Sequence, residues 1–76
     1  MTIGVKALDY LNPTTVAFMT PVATAAALKD SAKAKELLVI KTTGAVIRGY
    51  PKKVTAENLH YNAAEARVTV EFEQPV

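Results

Sequence analysis

Glu36-Leu-Leu-Val-Ile-Lys-Thr-Thr-Gly-Ala-Val-Ile-Arg-Gly-Tyr50 is two short apolar runs separated by a glycine. Leu37 to Ile40 is a continuous β-prone run, Thr42-Thr43-Gly44 is the break, and Ala45 to Tyr50 is the return, the pattern of a β-hairpin. Gly44 suits the left-handed third position of a three-residue loop closed by a bulge. That register places Ile40 opposite Val46, Val39 opposite Ile47, Leu38 opposite Arg48 and Leu37 opposite Gly49. Because side chains alternate across a sheet, one face then gathers Leu37, Val39, Ile47 and Gly49, and the other Leu38, Ile40 and Val46 beside Arg48 and Tyr50. A hairpin apolar on both faces needs two covers, and the expectation is that a partner subunit supplies one.

The length sharpens that expectation. Ordering 76 residues costs about 1.5 kcal/mol each, about 110 kcal/mol in all, which a single small core only just offsets. With no cysteine, neither a disulfide nor a thiolate metal site is available, so oligomerisation is the remaining common route to stability. Half the residues are hydrophobic, which excludes a disordered tail, while a net charge of +2 and an isoelectric point near 9.0 are too mild to demand a polyanionic partner.

Tyr10 to Leu28 carries no charge. Pro13, Pro21, Asn12 and four threonines make it too polar to span a membrane. Lys6 before it and Ala23-Thr24-Ala25 within it sketch a signal peptide, but Asp9 and the two prolines oppose that reading. The expectation is a soluble chain without a membrane partner, cytoplasmic or virion-associated.

Taken in order, Met1 to Leu11 offers Ile3, Val5, Leu8 and Leu11, compatible with a short strand and a helical turn. Asn12-Pro13 signals a turn, after which Thr14 to Val22 alternates with Val16, Phe18 and Val22 on one side, as an extended arm laid along an edge would. Thr20-Pro21 reads as an N-cap followed by proline at the first helical position, and the alanine-rich stretch to Lys35 places its lysines at the end that the helix dipole favours. Val22, Ala25, Ala26, Leu28 and Ala32 form its weak apolar stripe, with a break expected near Asp30-Ser31. Beyond the hairpin, Pro51-Lys52-Lys53 is a charged corner, Val54 to Asn62 is mixed with Leu59 and Tyr61 sharing a side, and Asn62 to Glu65 is a loop. In Ala66 to Glu73, Val68, Val70 and Phe72 alternate inward against Arg67, Thr69, Glu71 and Glu73. The predicted fold is α+β, one domain over 1–76. A possible arm (1–20) and one helix (21–35) precede a three- to four-stranded antiparallel meander (36–76).

Catalytic chemistry is poorly supplied. Ser31, His60, Asp9 and Asp30 are too scattered for a nucleophile relay, and Glu71 with Glu73 reads as a wetted outer strand face. Glycines only at 4, 44 and 49 build no phosphate cradle, and one histidine makes no metal site, so neither an enzyme nor a cofactor is expected. The leading expectation is a non-enzymatic structural or assembly subunit, a homo-oligomer or the partner of another structural protein, in contact through Val16, Phe18, Leu38, Ile40, Val46 and Tyr50. Small cysteine-free chains rich in alanine, threonine and valine are common among virion capsid, decoration and tail components, a compositional analogy only. The alternative is a small nucleic-acid-binding or inhibitory module using Arg48, Lys52, Lys53 and Arg67 on a basic sheet rim, with Tyr50, His60 and Tyr61 near it.

Overall fold

A computed structural model describes residues 1–57 and 64–76. The fold is α+β, with one helix and two sheets. In chain order the elements are β1 (Thr2–Gly4), β2 (Asp9–Asn12), β3 (Thr15–Pro21), α1 (Val22–Lys33), β4 (Leu38–Thr42), β5 (Ala45–Gly49), β6 (Pro51–Glu57) and β7 (Glu65–Phe72). The larger sheet is antiparallel in the order β2-β3-β7-β6, and the smaller has the order β1-β4-β5 with β1 parallel to β4.

The segment expected to be an arm is woven into both sheets, β1 into the smaller and β2 and β3 into the larger. Asn12 Oδ1 accepts hydrogen bonds from the Thr14 N–H (2.9 Å) and hydroxyl (3.0 Å), an Asx turn that reverses the chain at the Asn12-Pro13 signal. β3 then lies between β2 and β7, with Val16 opposite Val70 and Phe18 opposite Val68. Because β3 stays paired as far as Pro21, opposite Glu65, Thr20 is a buried strand residue and cannot cap the helix; Pro21 takes the cap position. The first helical N–H, of Val22, is satisfied instead by the Ala64 carbonyl at 3.0 Å. The helix runs unbroken through Asp30-Ser31 and buries Ala25, Leu28 and Ser31. Val22 and Ala26 of the expected stripe are exposed.

At the helix end, Lys35 N–H bonds to Ala32 C=O (3.1 Å) and Glu36 N–H to Ser31 C=O (3.2 Å), the paired bonds of a Schellman motif. The residue in the left-handed position, normally glycine, is Lys35 at φ +57°.

The central hairpin forms in a different register from the one expected. Its loop is the two residues Thr43-Gly44, with Gly44 at φ +80°, and the pairs are Leu38–Gly49, Val39–Arg48, Ile40–Ile47, Lys41–Val46 and Thr42–Ala45. A slip of one residue moves the whole return strand to the opposite face. Leu38, Ile40, Ile47 and Gly49 therefore face inward together, while Val39, Lys41, Val46 and Arg48 face outward. The core favours this register because it buries Ile47 with Leu38 and Ile40 and puts Arg48 in water.

One core joins the two sheets and the helix. Val16, Phe18, Val68, Val70 and Phe72 of the larger sheet meet Ala25 and Leu28 of α1 and Ile3, Leu38, Ile40 and Ile47 of the smaller sheet. Where the sheets meet, Gly49 lies under the Phe72 ring so closely that a Cβ there would sit 2.8 Å from Cδ1. The inward alternation expected for β7 is observed in full at Val68, Val70 and Phe72.

Candidate functional site

Of the six residues expected at an interface, Val16, Phe18, Leu38 and Ile40 are sealed in the chain's own core and present nothing to a partner. The reason is the register and the woven arm: the larger sheet and the helix cover the inner side of the hairpin, so the premise of two uncovered faces fails. Val46 and Tyr50 remain outside, 52% and 54% exposed. They share the outer side of the smaller sheet with Leu37, 40% exposed, and half-buried Val39, residues that reading the other register had divided between faces.

This sheet has an open side. Edge strands expose unpaired N–H and C=O groups and are normally blunted by lysine, proline, bulges or brevity. β6 carries Pro51, Lys52, Lys53 and a bulge; β2 has a bulge and ends against Pro13; β1 is three residues long. β5 runs five residues with a regular ladder on its inner side and Arg48 as its sole charge. In a two-residue hairpin closed at Thr42 and Ala45, the peptide groups of Val46 and Arg48 point away from β4.

The four residues of the nucleic-acid alternative do not form one rim. Arg48 lies on the outer side of the smaller sheet, and Arg67 lies on the larger sheet, 3.4 Å from Asp9 in an ion pair. Lys52 and Lys53 instead line a cleft of 360 Å³ beside the helix, together with Lys29, Ala32, Lys33 and Val54. A second cleft of 280 Å³ adjoins it at Ala32 and Lys52 and adds Lys35, Tyr50, Pro51 and Glu73. Sequence reasoning treated the helix lysines as dipole partners alone; their signal was the four-residue spacing of Lys29 and Lys33, which sets both on one helix face.

Chemistry for turnover is sparse among the described residues. Ser31 Oγ is buried without a hydrogen-bond partner, so no base activates it among the described residues. Glu71 lies 3.9 Å from Lys52 Nζ, a solvent-screened pair. No cluster of three potential metal ligands occurs among the described residues. The expectations for His60, Leu59 and Tyr61 fall outside the described residues. No described helix is long and apolar enough to cross a membrane. No protein-family model matches this chain, nor does any curated protein or solved structure.

Proposed function

We propose that this protein is a non-enzymatic structural subunit that assembles with copies of itself through the open edge of its smaller sheet. The observation that carries this reading is β5, the least protected of the four edges, beside exposed Val46, Tyr50 and Leu37. The occupant is β5 of a second copy, running antiparallel about a two-fold axis at Ile47. In that arrangement Ile47 faces Ile47 on the core side, and each Val46 lies opposite Arg48 of the second copy. Inward and outward sides are preserved, and the arginines avoid facing each other. Two three-stranded sheets become one of six, main-chain hydrogen bonds supplying the join.

Sedimentation equilibrium or light scattering across a range of concentrations tests it. The mass is expected to rise from 8.1 kDa toward twice that value. Val46→Lys sets an ammonium opposite Arg48 of the second copy and is expected to return the mass to one chain. Thr55→Lys, on the already guarded β6 edge, is expected to leave assembly intact. A wild-type mass of one chain at every concentration would sink the reading.

A further inference from the structure

Five of the nine cationic side chains, Lys29, Lys33, Lys35, Lys52 and Lys53, line the two adjoining clefts between α1 and β6. Glu73 is the one acid on either lining. Among the described residues, only Lys52 of the five has a carboxylate within ion-pair distance, and residues 58–63 contain no acid. Two ordinary explanations account for the parts: lysines guard the β6 edge, and lysines complement the carboxyl end of a helix. Neither explains why the two sets line one cleft, where gathering like charges opposes folding.

Lys35 supplies a second, independent observation. It occupies the left-handed position of the helix cap, where glycine fits without strain, and it lines the cleft that holds half-exposed Tyr50. A strained backbone that keeps a cation at a cleft favours a use for that cation.

We infer that the α1–β6 cleft binds single-stranded nucleic acid, its phosphates held by Lys29, Lys33, Lys52 and Lys53, with Lys35 beside a base stacked on Tyr50. A cationic cleft lined also by an aromatic ring suits one backbone with unpaired bases, whose faces a duplex keeps stacked within itself. The site needs no second copy, and of its residues only Tyr50 also borders the outer side of the smaller sheet.

Fluorescence anisotropy with a labelled oligothymidylate tests the assignment. Four phosphate contacts predict a log–log salt slope of about −3, so affinity is expected to fall about 50-fold between about 50 and 200 mM salt. Lys33→Glu with Lys53→Glu is expected to weaken binding more than about tenfold, whereas Lys6→Glu with Lys41→Glu, of identical net charge, is expected to change it only slightly. Tyr50→Ala is expected to cost about tenfold. Far-UV circular dichroism checks that each variant is folded, and Lys33→Gln with Lys53→Gln replaces the glutamate pair if that pair unfolds. Absence of binding at low salt, equal loss in the two charge-reversed pairs, or a duplex competing as well as the single strand would overturn the inference.

Discussion

Gly49 and Phe72 show how one missing side chain positions two sheets. A Cβ at Gly49 would lie 2.8 Å from Cδ1 and 3.4 Å from Cε1 of a ring that is itself buried, so the ring has nowhere to retreat. Gly49→Ala is expected to cost about 1–3 kcal/mol by overpacking, measured as a lower urea midpoint with an unchanged slope. Lys35 runs the other way, because its φ of +57° is strained for any residue with a Cβ. Lys35→Gly is expected to gain about 0.5–1 kcal/mol, raising the thermal midpoint by several degrees. A stabilising replacement that also weakened oligonucleotide binding would identify this lysine as a functional concession. An unchanged or lower midpoint would show that its side-chain packing outweighs the strain.

At the scale of the element, the hairpin carries two different kinds of apolar residue, and its register decides which is which. Ile40 is wholly buried opposite Ile47, whereas Val46, one pair nearer the loop, is 52% exposed opposite Lys41. Ile40→Asp is therefore a folding mutation. It puts an unpaired carboxylate into the core and is expected to cost more than about 4 kcal/mol, seen as loss of a cooperative thermal transition. Val46→Lys is expected to leave that transition in place, because its side chain already meets water. If instead Ile40→Asp remained folded and cooperative, the observed register would be wrong.

For the molecule as a whole, 76 residues suffice for a shared core because three layers of chain are used economically. The larger sheet offers one apolar face, and α1 and the smaller sheet both contribute to the core on it. The first twenty residues, which a simple meander would leave outside, supply Ile3, Val16 and Phe18 to that core. Its outlying features fall in two places. The guarded β6 edge and the helix border a lysine-lined cleft, while the unguarded β5 edge borders an outer face with Leu37, Val39 and Tyr50. Measuring mass and oligonucleotide affinity on the same Val46→Lys and Lys33→Glu/Lys53→Glu proteins separates the two surfaces, since each change is expected to affect only one property.

The α+β class, the alanine-rich helix, the turn at Asn12-Pro13 and the inward side of β7 were legible from residue order, because each depends on local periodicity or on a residue with a restricted backbone. Leu38 and Ile40 could be read as apolar strand residues, but not as core residues. Their side depends on a one-residue choice of register that turn chemistry alone leaves open and core packing decides. The lysine cleft was hidden for a related reason. Lys29 and Lys33 come to line one cleft with Lys52 and Lys53 only because the helix lies against β6, and contacts between distant parts of a chain exist once burial has brought them together.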